Sequence, residues 1–175
     1  MSVVSFDSAT FRRVLGHYPT GVCVVTAVEA DGGPVGMVVG SFTSVSLDPP
    51  LVSVNIARTS STWRVLSRAR HWGISVLAEE QEMVFRQLAG KAGERFSGLD
   101  WTSGADGSLL LDDASATFIV GPKAQFDAGD HIIVLMSVLG LQWCPERRPL
   151  VFHGSQTARM AAPNAASSIS NRAHS

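Results

Sequence analysis

The sequence predicts a mainly β fold, an antiparallel barrel or sandwich of six or seven strands decorated by about three short helices. Three observations predict it. Short segments rich in β-branched residues recur along the chain, and turn signals separate them. There is no regular alternation of strands and helices, which disfavours a parallel sheet. Closing the sheet into a barrel would also remove the exposed edges of so many apolar strands.

The first predicted element is a helix that begins at Asp7 or Ser8, because a short side-chain oxygen can accept from the free N–H groups of the first turn. Its apolar residues recur at helical spacing and would form one face: Phe11, Val14, Leu15 and Tyr18. Pro19 and Gly21 end it. β-branched composition then predicts strands at 22–28, 35–47 and 51–57, with turns at Asp31-Gly32-Gly33-Pro34 and Asp48-Pro49-Pro50.

From residue 59 onward, the sequence predicts two more helices and four more strands. Hydroxyl residues open a helix at 59–70, and a run of glutamates suits the N-terminus of a helix at 79–89. The strands are predicted at 72–77, 116–120, 132–141 and 150–152, with a turn at Gly129-Asp130 and a loop over 97–115. We expect one domain over 1–158, and a disordered tail over 159–175 because Ala, Ser and Asn dominate there.

Composition excludes several classes of protein. The 175 residues are 45% hydrophobic and 17% charged, which argues against overall disorder. A net charge of −1 supplies no general attraction to nucleic acid or to an anionic membrane. No apolar run approaches the ~20 residues of a spanning helix, and the first residues lack the pattern of a secretion signal. Cys23 and Cys144 lie far apart and form no CxxC motif, so a reducing cytoplasm is expected.

Motifs for common catalytic chemistry are absent. No G-x-G-x-x-G follows a strand, Gly90-Lys91 lacks the rest of a phosphate loop, and neither G-x-S-x-G nor H-E-x-x-H occurs. The five histidines are scattered and no two stand at ligand spacing, so no metal site is predicted.

Three segments are unusual, although each also has an ordinary explanation. The run 36–50 alternates apolar with small hydroxyl residues and contains two glycines, so its backbone could meet a flat heterocycle; hydroxyl residues on an outward strand face would look the same. Arg58 followed by four hydroxyl residues at 59–62 could bind a phosphate, or merely cap a helix. Gly129-Asp130-His131 could be a simple turn.

Together with Ala89-Gly90-Lys91-Ala92-Gly93-Glu94-Arg95-Phe96, and in this order, these segments resemble the flavin reductase family of two-component monooxygenase systems over roughly residues 8–156. The resemblance implies a split β-barrel of antiparallel, Greek-key type. It also implies an NAD(P)H:flavin oxidoreductase that uses FMN or FAD with NADH, or with NADPH, and supplies reduced flavin to a separate flavin-dependent monooxygenase. Members are usually homodimers. The lack of an arginine cluster for a 2′-phosphate favours NADH.

The resemblance also implies the site residues. Those that would line the flavin ring are Met37, Val38, Val39, Gly40, Ser41, Phe42, Thr43 and Ser44, with Ser46 and Asp48 nearby. Those that would approach the phosphate or ribityl chain are Ser60, Ser61 and Thr62, while Lys91, Arg95 and Phe96 would close over the phosphate or adenylate end. In Gly129-Asp130-His131, the histidine would position the nicotinamide. Gly40 stands where members often carry Ser, Asn or Ala.

Two other functions remain open at the level of the sequence. One is a flavin oxidase of the kind that acts on pyridoxamine phosphate, and the other is a non-enzymatic flavin- or haem-binding protein on the same barrel. The Gly-Asp-His element and the lack of a clear basic cluster for such a phosphate weigh against the oxidase.

Overall fold

The structure, a computed structural model, describes residues 6–91 and 93–161. The α-helices of this part of the chain are α1 (Ser8–Leu15), α2 (Ser61–Leu66) and α3 (Glu82–Leu88). Its strands are β1 (Thr20–Gly21), β2 (Cys23–Val28), β3 (Pro34–Val39), β4 (Thr43–Leu47), β5 (Pro50–Ala57), β6 (Trp72–Val76), β7 (Trp101–Ser103), β8 (Leu109–Leu111), β9 (Ala116–Ala128), β10 (His131–Trp143), β11 (Val151–His153) and β12 (Gln156–Ala158).

Seven strands form one antiparallel sheet in the order β3-β2-β6-β9-β10-β5-β4, which confirms the mainly β prediction. The predicted strand 35–47 is two strands, β3 and β4, and they lie at opposite edges of this sheet. The sheet therefore curls until its two edges approach each other, and the chain crosses the gap at 40–42. Ser41 binds this crossing segment to β5, the neighbour of the edge strand β4: its hydroxyl accepts from the Asn55 N–H at 2.9 Å and donates to the Asn55 carbonyl at 3.2 Å.

Two apolar cores share strand β2, which is why almost all of its residues are buried. Cys23 and Val25 face a core inside the barrel, together with Trp72 and others from β5, β6, β9 and β10. Val24 faces a second core beneath α3, β8 and the start of β11. Side chains of a strand alternate between its two faces, so a continuous apolar run suits a strand that is covered on both sides.

The hairpin of β9 and β10 is longer than the sequence suggested. The strand predicted at 116–120 continues to Ala128, although Pro122 cannot donate to a ladder. Register shifts between Leu135 and Met136 and between Val138 and Gly140 accommodate the irregular stretch, as β-bulges do. The predicted turn at Gly129-Asp130 is confirmed, and the φ of 64° at Gly129 is the left-handed value that favours glycine.

Other boundaries also differ from prediction. The helix expected at 59–70 is shorter, since α2 ends at Leu66, and the helix expected at 79–89 begins as a 3₁₀ turn before α3. The segment 97–115, expected to be a loop, contains the small hairpin of β7 and β8. Leu109 and Leu111 of β8 are buried in the second core and anchor this short hairpin. The last strand ends at Ala158, and most of the tail predicted at 159–175 lies outside the described residues.

Helix α1 begins as predicted, with Asp7 as its N-cap: the Asp7 carboxylate accepts from the Thr10 N–H at 2.7 Å. It ends at Leu15, earlier than the predicted stop at Pro19. None of its residues is buried, however. The apolar face that the sequence marks is exposed by 48% at Phe11, 63% at Val14, 53% at Leu15 and, just past its end, 74% at Tyr18. Within the described residues, no helix is long and apolar enough to cross a membrane.

Candidate active site

A cavity of about 590 Å³ opens between β3, α2 and the loop that follows α3. Its volume lies within the usual range for small-molecule sites. The residues lining it are Glu29, Pro34, Val35, Gly36, Ser61, Thr62, Val65, Gly93, Arg95, Phe96 and Ser97. Four of the predicted site residues thus meet here, from two segments about thirty residues apart in the chain: Ser61, Thr62, Arg95 and Phe96.

Arg95 is the cation of this cavity, and contacts on three segments hold its half-buried guanidinium group. Its Nε donates to the Gly90 carbonyl at 3.0 Å, and one terminal nitrogen lies 3.1 Å from Thr62 Oγ1 and 3.4 Å from the Gly36 carbonyl. A guanidinium group can donate five N–H bonds, so capacity remains for an anionic ligand. The arrangement suits a phosphate beside Ser61 and Thr62.

Gly36 permits the close packing on which this cavity depends. A Cβ added there would lie 2.7 Å from Thr26 Cγ2, 2.8 Å from Phe96 Cζ and 3.0 Å from the Val25 carbonyl oxygen. Because none of these distances accommodates a methyl group, only glycine lets the Phe96 ring approach β3 this closely. The glycine that the sequence marked inside a strand is therefore a point of close approach.

The hydroxyl groups of the segment 60–62 have two roles: one caps α2, and the other two line the cavity. The Ser60 hydroxyl accepts from the Trp63 N–H at 3.1 Å and so caps α2, which is the ordinary task of a serine before a helix. It also lies 4.0 Å from the Met37 sulfur, which brings two predicted site residues together. Ser61 and Thr62 line the cavity. Binding of a phosphate here would rest on these hydroxyls and Arg95.

Side chains in the run 37–48 point in several directions. Val39 is buried in the barrel core, and the half-buried Phe42 ring packs on Phe118 with ring centroids 5.3 Å apart. Val39 could therefore meet a ligand only through its backbone, whereas Phe42 keeps part of its surface exposed. The residues that β4 and the following turn present at the surface are Thr43, Ser44 and Asp48, while Val38 and Ser46 are half-buried. Gly40 is exposed. A Cβ added to it would lie 3.1 Å from Thr20 Oγ1, so Thr20 occupies part of the space that a larger residue at position 40 would need.

The Gly129-Asp130-His131 turn leads into the start of β10, where His131 pairs with Ala57 of β5. His131 Nδ1 and Asp130 Oδ1 are 2.7 Å apart. This hydrogen bond, followed by the charge of the imidazole, lowers the pKa of Asp130 below its ordinary value. Asp130 therefore holds one ring nitrogen of His131, and Nε2 is the nitrogen that can meet a substrate.

Some predicted residues lie away from the cavity, and some lining residues were not predicted. Lys91 is exposed and is not part of the cavity lining. The turn at 129–131 is not part of it either. Glu29 and Val65 line the cavity without any motif that would have marked them. Gly36 lies inside a segment that the sequence did mark, but its close contact with Phe96, far away in the chain, exists only in the fold. Among residues 6–91 and 93–161, no group of three acidic, histidine or cysteine side chains could hold a metal ion.

Comparison of this chain with known proteins identifies its family. Residues 15–161 match the model of the flavin reductase like domain. A flavin reductase of Pseudomonas putida is 42% identical over 149 residues, which are 85% of this chain and 88% of that protein. SmoA of Agrobacterium fabrum, an FMN reductase (NADH), is 39% identical over 89% of this chain and 87% of its own.

Solved structures agree with this. The NADH:FAD oxidoreductase SgcE6 of Streptomyces globisporus, in complex with NAD and FAD fragments, superposes with a TM-score of 0.85 at 34% identity, covering 94% of this chain and 99% of that one. The flavin reductase component BorF of a bacterial two-component tryptophan halogenase gives a TM-score of 0.80 at 34% identity, covering 89% and 99%. The chain therefore belongs to the flavin reductase family, as the order of its motifs indicated.

Proposed function

We propose that this protein is an NADH-dependent flavin reductase that supplies reduced FMN or FAD to a separate flavin-dependent monooxygenase. The observation that carries the proposal is the arrangement of Arg95 with the Thr62 hydroxyl and the Gly36 carbonyl beside a cavity of ligand size. Relatives support it: one is named an FMN reductase (NADH), and another is the reductase subunit HsaB of a flavin-dependent monooxygenase in Rhodococcus jostii, 36% identical over 87% of this chain.

The chain would contribute binding and orientation. Arg95, Ser61 and Thr62 would hold the flavin phosphate, and the exposed backbone and hydroxyl groups of β4 would lie beside the flavin ring. In the reaction, hydride passes from C4 of the reduced nicotinamide to N5 of the flavin when the two rings stack at about 3–3.5 Å. The two cofactors carry this chemistry, so the protein needs no strong acid, base or nucleophile, in keeping with the lack of such motifs.

His131 would position the nicotinamide. Its imidazole is half-exposed at the start of β10, and Asp130 holds its Nδ1. A ring held through one nitrogen presents the other in a fixed direction, which suits a donor or acceptor for the nicotinamide carboxamide. An aspartate is ionised at neutral pH, and the hydrogen bond to His131 lowers the pKa of Asp130 further, so the carboxylate can accept from the imidazole under working conditions.

We also propose that the protein is a homodimer. The apolar face of α1 is uncovered in the single chain, and further apolar side chains near the end of β10 are more than half exposed: Leu139, Leu141 and Trp143. Uncovered apolar surface of this kind is typical of an interface. Replacing Val14 with glutamate should then shift the protein towards monomer in sedimentation velocity, and a wild-type protein that sediments as a monomer would refute the dimer.

A cytoplasmic location is also part of the proposal. The free thiols Cys23 and Cys144 support it, because the cytoplasm keeps thiols reduced.

The test of the proposed activity is an anaerobic assay. Purified protein is mixed with NADH and with added FMN or FAD, and the loss of NADH absorbance is followed with the bleaching of the flavin. We expect rapid oxidation of one NADH per flavin. Flavin binding without NADH oxidation would instead indicate a binding protein. Bleaching of the added flavin by pyridoxamine phosphate supplied in place of NADH would indicate the oxidase.

A further inference from the structure

Arg58 joins two parts of the site that the chain keeps far apart. It stands at the end of β5, directly before the hydroxyl segment 59–62, and its own side chain reaches the turn between β9 and β10. Arg58 Nε donates to the Gly129 carbonyl at 2.9 Å, and a terminal nitrogen lies 2.6 Å from Asp127 Oδ1. The backbone N–H of Arg58 donates to the Asp130 carbonyl at 3.0 Å.

These three contacts surround the turn that carries His131. They reach Asp127 before the turn, Gly129 at its first loop position and Asp130 at its second, which is also the residue that holds the imidazole. The turn closes the long β9–β10 hairpin, and β5 borders it on the other side, where Ala57 pairs with His131. Arg58 is therefore placed to fix the turn against the end of β5.

The contacts differ in the strength that they can have. The Asp127 side chain is 85% exposed and that of Arg58 is 43% exposed, so water screens their ion pair and its contribution is small. The bond from Nε to the Gly129 carbonyl is a charge-assisted bond to a backbone group, and such bonds are among the stronger ones. This bond is also exposed, but it is the side-chain contact that reaches the backbone of the turn itself, and it supplements the bond from the Arg58 N–H to the Asp130 carbonyl.

We propose that Arg58 is a positioning residue for hydride transfer: by binding the Gly129 carbonyl, it fixes the turn that presents His131 to the nicotinamide. It need not touch either cofactor. This inference rests on the proposed function, since it requires that His131 meets the nicotinamide. It adds that the flavin-phosphate segment and the nicotinamide turn are joined through one side chain.

The kinetic test uses four variants in the anaerobic assay. Arg58→Ala should raise the KM for NADH about tenfold, as the loss of one charge-assisted bond would. It should change the Kd for flavin, from fluorescence quenching, by less than about twofold. Arg58→Lys keeps the charge but not the Nε donor, and should recover only part of the loss. Asp127→Asn is the matched control, because it breaks the ion pair and leaves the Gly129 bond; its KM for NADH should stay within about twofold of wild type.

The fourth variant, His131→Ala, separates positioning from a merely structural role. If Arg58 acts through His131, then adding Arg58→Ala to His131→Ala should raise the KM for NADH no further. Multiplied effects of the two substitutions would overturn the proposal. So would equal weakening of flavin and NADH binding by Arg58→Ala, since that would indicate general loosening of the barrel.

Hydrogen exchange distinguishes failure of this inference from failure of the proposed function. In Arg58→Ala, amides of the segment 127–131 should exchange faster, while those of β2 should not change. A wild-type protein that does not oxidise NADH would refute the proposed function and, with it, the role of Arg58. An active wild type whose KM and exchange rates are unaffected by Arg58→Ala would refute the inference alone.

Discussion

At the scale of single residues, Gly36 determines how closely the Phe96 ring can approach β3. Gly36→Ala would place a methyl group 2.7 Å from Thr26 Cγ2 and 3.0 Å from the Val25 carbonyl oxygen, and the backbone oxygen cannot move without disturbing β2. We expect a loss of about 1–3 kcal/mol in the free energy of unfolding, as overpacked sites show, together with weaker flavin binding. Urea unfolding and flavin fluorescence measure the two effects.

The matched control for Gly36 is Gly140, which also lies in a strand. A Cβ there would meet Ile119 Cδ1 at 3.8 Å, which is ordinary contact. Gly140→Ala should therefore change the free energy of unfolding by less than about 0.5 kcal/mol. Similar losses in both variants would mean that the close approach at Gly36 has no special importance.

Arg95 should distinguish flavins by their phosphate. Arg95→Met removes the cation beside Ser61 and Thr62, so we expect the Kd for FMN to rise about tenfold or more. Riboflavin has no phosphate, and its Kd should change by less than about twofold. Arg86→Met is the control, because it removes a charge that is paired with Glu82 on α3. Equal loss of affinity for FMN and riboflavin would place the phosphate elsewhere.

At the scale of secondary-structure elements, Ser41 holds the segment that crosses from β3 to β4 against β5. The Ser41 hydroxyl replaces a ladder partner for both backbone groups of Asn55. Ser41→Ala would leave this N–H and carbonyl to water, since the site is exposed, and should lower the free energy of unfolding by about 1 kcal/mol. Ser41→Thr keeps the hydroxyl and should recover most of this loss.

The control for Ser41 is Ser67→Ala at the end of α2. It removes a hydroxyl whose bond to the Arg64 carbonyl is long, at 3.4 Å, and exposed. It should cost less than about 0.5 kcal/mol in urea unfolding. If Ser41→Ala costs no more than Ser67→Ala, then β3 and β5 are held together by the barrel core alone.

The elements also show what local sequence can and cannot predict. The strands β2, β5 and β6 and the turn at Gly129 follow from composition and glycine, because these signals act within a few residues. The extension of β9 past Pro122 does not, because the bulge that accommodates it depends on pairing with β10. The site divides in the same way: the motifs mark Thr62 and Arg95, whereas the contact between them, 33 residues apart, exists only in the folded chain.

At the scale of the whole molecule, β2 connects the two apolar cores, and Cys23 is the ionisable group buried within it, 3% exposed. Burial raises the pKa of the Cys23 thiol from an ordinary 9.0 to about 12. Below pH 9 the thiol is protonated in both the folded and the unfolded chain, and it gives no pH dependence. Above pH 9 the unfolded chain releases its proton while the folded chain retains it, so stability must fall as the pH rises towards 12.

The predicted decline can be measured by urea unfolding between pH 7 and pH 11. The Cys23 thiol should lower the free energy of unfolding by up to about 1.4 kcal/mol per pH unit above pH 9, in addition to any other titrating groups. Cys23→Ala should start from a lower stability at pH 7, because it leaves a small cavity, but should lose less of it with rising pH. Cys144→Ala keeps the buried thiol and should retain the wild-type decline. If Cys23→Ala and wild type decline in parallel, then β2 opens to solvent before the barrel unfolds, and its two cores do not act as one cooperative unit.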